Sequence, residues 1–193
     1  MNLKLLKEIL REDVPSKKIK ENENQIFEMI PELSYCKNFN QNNIWHVYDV
    51  YEHILHVVDN VPNNINLRIA ALFHDLGKPF VYNEDEDGVG HFYGHWEKSK
   101  DIFELFATKY QINEENKKLI SNLILYHDIS IDKLSEEKLN QLINILGIDG
   151  MIMLFELKKS DLLAQNPKFH YILNNYEKQK QKILSDNKKT DRY

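Results

Sequence analysis

Six residues of metal-binding type lie on separate stretches of this chain: His53, the adjacent pair His74 and Asp75, His95, His127 and Asp161. The pair closes a run in which Leu67, Ala70, Ala71 and His74 fall at i, i+3, i+4 and i+7, so His74 lies on the apolar stripe of a helix. Gly77, Lys78 and Pro79 follow almost at once. A nitrogen ligand and a carboxylate held together at a buried position point to a metal ion. An isolated histidine on an apolar face is more often a satisfied core residue than a ligand. Asp161 strengthens the set: it is in phase with Leu154 and Leu157, and a carboxylate there would be costly to bury without a partner.

Residues this far apart converge only if helices pack around one pocket, and the patterning is that of such a bundle. A short amphipathic helix is expected within 1–13, a second over about 22–30 stopped by Pro31, and an ordered loop over 35–43. Val50, Ile54, Val57, Val58 and Val61 stripe the helix that carries His53, and the helix ending at His74 comes next. Residues 80–83 and 89–93 flank the acidic, glycine-containing turn 84–88, a β-hairpin signal. Four of the six glycines fall between Gly77 and Gly94, where the backbone needs unusual freedom. Helices are then expected over about 95–110, 114–127, 135–147, 149–165 and 167–183. The fold class is all-α, a helical bundle with one small hairpin near 80–93.

With these residues in view, the chain resembles the HD-domain metal-dependent phosphohydrolases, whose four-ligand signature matches His53, His74-Asp75 and Asp161. The likeness is closer to the C-terminal HD domain of bacterial CCA-adding enzymes (tRNA nucleotidyltransferases). It is carried by Pro31 to Leu33, Asn38 to Asn43, His46 to His53, Asp85 to His95 and Asp161 to Pro167, and spans about residues 25–175. The nucleotide-transfer head of those enzymes has no counterpart here, since no glycine occurs before Gly77. Nucleotide addition is therefore not implied. The resemblance does imply one HD domain over 1–193, with a helical extension over 1–24 and a flexible polar tail from about 185.

It also implies roles. One or two divalent ions are implied: His53, His74, Asp75 and Asp161 would hold one, and His95 and His127 are available for a second with Asp75 as the bridge. Mixed imidazole and carboxylate ligands suit Mn, Fe, Co, Ni, Zn or Mg. Asp75 is the expected catalytic centre, with Lys78 binding phosphate as a point charge and His46 contacting substrate. Asp128 is a candidate proton acceptor, and His91 is expected to pack or hydrogen-bond. The expected substrate is a phosphorylated small molecule or nucleotide, including a tRNA 3′ end, with 2′,3′-cyclic phosphodiesterase, 2′-nucleotidase or phosphatase chemistry. A non-catalytic RNA-binding module is the other reading.

Bulk properties bound these expectations. With 193 residues, 42% hydrophobic and 28% charged, the chain can bury one substantial core. A net charge of −5 argues against a general nucleic-acid coat. One cysteine, Cys36, excludes an internal disulfide and a Cys-rich zinc site. No apolar run approaches a membrane span, and charges break the apolar run at the N-terminus, so a cytoplasmic location is expected; oligomeric state stays open.

Overall fold

Capping residues set several of the helix starts. Asn2, Asp49, Asn64, Asn113 and Ser135 each accept a hydrogen bond from a backbone N–H in the first turn of the helix that follows. In the computed structural model, which describes residues 2–190, these helices are α1 (Leu3–Ile9), α5 (Val50–Asn60), α6 (Ile65–Phe73), α9 (Glu114–Tyr126) and α10 (Glu136–Leu163). The others are α2 (Pro15–Glu21), α3 (Glu23–Met29), α4 (Pro31–Cys36), α7 (Lys78–Val81), α8 (His95–Lys109) and α11 (Leu173–Thr190). Strands β1 (Asn83–Glu84) and β2 (Gly90–His91) pair antiparallel, Asn83 opposite His91.

The structure therefore has the all-α class with a small hairpin, but it differs from the sequence reading in three places. Pro15 and Pro31 begin α2 and α4 rather than only ending what precedes them. Proline's missing N–H costs nothing at the first helical position, so the residue that stops one helix can open the next. Phe80 and Val81 belong to α7, not to a strand, and the hairpin is two residues per side. Pro167 opens a 3-10 segment, Pro167–Ile172, and α11 starts only at Leu173. That helix runs on to Thr190 through the region expected to be a flexible tail, whose last three residues lie outside the described ones. The expected break between helices near 147 is present: Gly147 has φ 67 and ψ 174, a conformation open only to glycine.

Helix α6 is the hub. Every residue from Leu67 to Phe73 is buried, and the helix touches α5, α8, α9 and α10. Those four neighbours carry His53, His95, the turn to His127, and Asp161 respectively. The end of α6, where His74 and Asp75 follow Phe73, thus points into the space that all four border. Leu6, Leu10 and Ile19 belong to the same core at 0% exposure, so the N-terminal segment is packed into the body of the fold. The buried Arg68 guanidinium on α6 donates to the carbonyls of Leu10 and Glu12 and fastens the end of α1 there. Among the described residues no helix is long and apolar enough to cross a membrane.

Candidate metal centre

Three of the histidines are oriented in the same way. His74 Nδ1 lies 2.7 Å from the Ala71 carbonyl, His95 Nδ1 2.8 Å from that of Phe92, and His127 Nδ1 2.7 Å from that of Ile124. A carbonyl oxygen carries no proton, so each Nδ1 is the N–H donor and, in the neutral ring, each Nε2 carries the lone pair. Metal-ligating histidines are held by this kind of outer hydrogen bond. All three bonds run back to the carbonyl three residues earlier, because each histidine sits at a helix end or start where the chain has turned.

The Nε2 atoms converge on Asp75, which is 1% exposed. Its Oδ2 lies 3.2 Å from His53 Nε2 and 3.2 Å from His74 Nε2. Its Oδ1 lies 3.3 Å from His95 Nε2 and 3.5 Å from His127 Nε2. One carboxylate thus serves two ligand triads, His53/His74/Asp75 and Asp75/His95/His127, all buried. Asp161 Oδ1 completes the first side at 3.0 Å from His53 Nε2 and 4.0 Å from His74 Nε2. All six residues named from the sequence are therefore within one cluster.

Whether they suit an ion can be judged from the contacts themselves. His95 Nε2 and His127 Nε2 are 3.1 Å apart, and both rings already donate through Nδ1. Two lone pairs facing each other at that distance repel unless a proton or a cation lies between them. Asp75 Oδ1 is buried with no hydrogen-bond donor, and it faces the same two nitrogens. A divalent ion would satisfy all three atoms at once, so the residues fit one.

Electrostatics follow the same geometry. Burial favours the neutral form of Asp75, but His74, Lys78, His127 and His53 outweigh it and hold the carboxyl well below its usual range. Burial would lower the His53 imidazole, yet Asp161 and Asp75 raise it to about 9. Burial also works against ionised Asp161, and His53 keeps its carboxyl low all the same. For His127 burial wins, and its pKa falls despite Asp75.

Lys78 and His46 have a different setting from the one expected for phosphate contacts. Lys78 is 5% exposed, and its ammonium meets Asp75 Oδ2 at 2.6 Å, Gln41 Oε1 at 2.8 Å and His46 Nε2 at 3.3 Å. Three N–H bonds have three acceptors. His46 gives its Nδ1 proton to Asn43 Oδ1 at 2.8 Å, and burial together with the Lys78 charge pushes its pKa down to about 2. It is a neutral ring. Gln41, 1% exposed, also donates to the Tyr48 carbonyl, so the loop between α4 and α5 is pinned to the centre through Lys78. No pattern singled Gln41 out from the sequence: it is one amide in an asparagine-rich loop. His91 bonds Asp85 Oδ2 at 2.9 Å, and Asp128 is exposed at the cavity wall.

That cavity, about 670 Å³, opens over Asp75, His95, His127 and Asp161 and is also bordered by Lys78 and His46. The HD domain family matches residues 44–148, more than half of the chain. The chain belongs to the HD domain family. HD domains bind divalent metals and are generally metal-dependent phosphohydrolases, which agrees with the buried His/Asp cluster. Asp161 lies beyond the matched span and joins this HD centre through the packing of α10 on α5, α6 and α9. No curated protein matches the chain.

Proposed function

We propose that this HD domain hydrolyses phosphomonoester or phosphodiester bonds of a nucleotide or an RNA 3′ end, with 2′,3′-cyclic phosphodiesterase, 2′-nucleotidase or phosphatase chemistry. One observation carries the reading: the Asp75 carboxylate divides its two oxygens between two histidine pairs. That arrangement supports two divalent ions, one held by His53, His74, Asp75 and Asp161, the other by Asp75, His95 and His127. Bound there, the ions would supply Lewis acidity toward a phosphoryl oxygen and make an adjacent water more acidic.

The chain's own residues prepare that chemistry. Lys78 fixes Asp75 Oδ2 and keeps a positive charge beside the carboxylate, so the bridge stays ionised in a buried site. We assign it the phosphate as well, through exchange of one present acceptor for a phosphoryl oxygen. His46, neutral and held by Asn43, faces the cavity and can orient a substrate group. Asp128 lines the cavity and is exposed, and we assign it the role of proton acceptor. The resemblance of residues 85–95 and 161–167 to the HD domain of CCA-adding enzymes supports an RNA 3′ end among the substrates. Retention of all six ligands weighs against a non-catalytic RNA module.

Metal analysis of purified protein, together with ring opening of 2′,3′-cyclic nucleotides to monophosphates and phosphate release from 2′- and 3′-nucleotides, tests the proposal. Asp75→Ala should lower kcat at least about a thousandfold, as loss of a group that acts only with the others does. Release that survives chelation, or an Asp75→Ala protein with undiminished turnover, would overturn it.

A further inference from the structure

The cavity holds more than the metal centre needs. Six of the 22 residues that line it are Phe, Trp or Tyr, against 11% of the whole chain. They differ in exposure. Trp96 is half-buried beside the centre, its ring 5.2 Å from that of His95 and steeply inclined to it. Tyr171 and Trp45 stand at the mouth, 68% and 41% exposed. The Trp45 ring lies stacked at 3.8 Å on Phe169, and its carbonyl accepts from the Asn166 N–H at 2.8 Å, so the strap before α5 and the 3-10 segment before α11 form one outer wall. Large rings left in water inside a cavity are surfaces that a flat apolar ligand would cover. Lys133, exposed on the 3-10 turn Ile131–Lys133, and Ser130 border the same space, with Asp128 close in sequence.

We propose that this cavity takes two consecutive nucleotides, not one. The terminal base rests on Trp96 beside the centre, the preceding base on Tyr171 and Trp45, and the linking phosphate at Lys133. The proposal rests on the phosphohydrolase reading for the identity of the terminal group. Volume allows it: at about 670 Å³ the cavity lies well inside the range of about 300 to about 1,000 Å³ usual for ligand sites. Chemistry agrees as well, because aromatic platforms in a groove that also offers basic residues are how unpaired strands are held. A free dinucleotide and the end of a longer strand share these features.

The test is equilibrium binding to the full chain loaded with Mn²⁺, followed by tryptophan fluorescence. Terminal 3′-phosphorothioates of uridine, UpU and a uridine tetramer are compared, since sulfur slows any hydrolysis. The dinucleotide should bind about tenfold tighter than the mononucleotide, the usual worth of one stacked base. A tetramer as tight as the dinucleotide assigns the site to a strand end, and one tenfold weaker assigns it to a free dinucleotide. Tyr171→Ala should cancel the dinucleotide advantage, whereas Trp96→Ala should weaken both ligands alike. Tyr171 is largely exposed, so its variant keeps the fold. Equal affinity for mononucleotide and dinucleotide, or equal effects of Tyr171→Ala on both, would overturn the proposal. Release of p-nitrophenol from p-nitrophenyl phosphate and from bis(p-nitrophenyl) phosphate, read separately, decides the phosphohydrolase reading whatever the binding pattern shows.

Discussion

His53 shows how a single side chain sets the conditions for the centre. Its pKa near 9 in the absence of an ion means that it carries a proton at neutral pH, held there by Asp161 and Asp75 against burial. An ion must displace that proton, so affinity should rise about tenfold per pH unit from 7 to 8 and level off above 9. Proton release on adding Mn²⁺ in weak buffer checks this, and release that is absent at pH 7 would contradict it. At this scale much was legible in the sequence: each ligand is a histidine or aspartate in phase with apolar neighbours or at a helix end. Gln41 was not, because its role depends on the loop folding back onto Lys78. The full occupation of Lys78 was equally hidden: Asp75 lies three residues before it, but Gln41 and His46 come from a distant loop.

Between elements, Gly77 marks a very close approach. A Cβ added there would collide with the His95 carbonyl, lie 2.8 Å from the Ser99 backbone nitrogen, and meet the Lys98 side chain at 2.9 Å. The Gly77 N–H donates to Ser99 Oγ at 2.8 Å across the same contact. Glycine here brings the first turn of α8, and with it His95, against the turn that carries Asp75. Gly77→Ala should push them apart at a cost of about 1–3 kcal/mol, as overpacking does. The side of the centre made by His95 and His127 should suffer most. Metal stoichiometry near one ion per chain with a lowered Tm is the expected result, and an unchanged stoichiometry would show that α8 can shift without losing its ligand. The glycine-rich stretch marked this region in the sequence, but the partner of the close approach comes from twenty-two residues further on. Short helices beginning at Pro15, Pro31 and Lys78 were also invisible, because periodicity needs more than the 4 to 7 residues they contain.

Across the molecule, Arg68 joins the hub helix to the N-terminal segment. It is 4% exposed, and two backbone carbonyls from the loop after α1 accept from its guanidinium. Arg68→Ala would leave those carbonyls without a charged donor and should cost on the order of 3 kcal/mol. The expected readout is a lower Tm with the metal content of the folded fraction unchanged, because Arg68 faces away from the centre. A loss of metal in step with stability would mean that the two ends of α6 are coupled. The overall architecture was readable from sequence as a helical body around one hairpin. Integration of the first twenty residues into the core was not, since Leu6, Leu10 and Ile19 form stripes too short to reveal what they face.

The facing nitrogens of His95 and His127 carry a consequence beyond catalysis. A chain without an ion keeps that repulsion in its folded form and is relieved of it by unfolding, so metal supply governs how long the protein survives among proteases. At an ion concentration a hundred times its Kd, binding adds about 2.7 kcal/mol to the folded state, roughly a hundredfold fewer opened molecules. Limited proteolysis with and without a chelator should show a half-life shortened by a similar factor, and an unaltered half-life would disprove the link. In a growing cell the protein's abundance would then follow the metal ration of its surroundings without any change in synthesis.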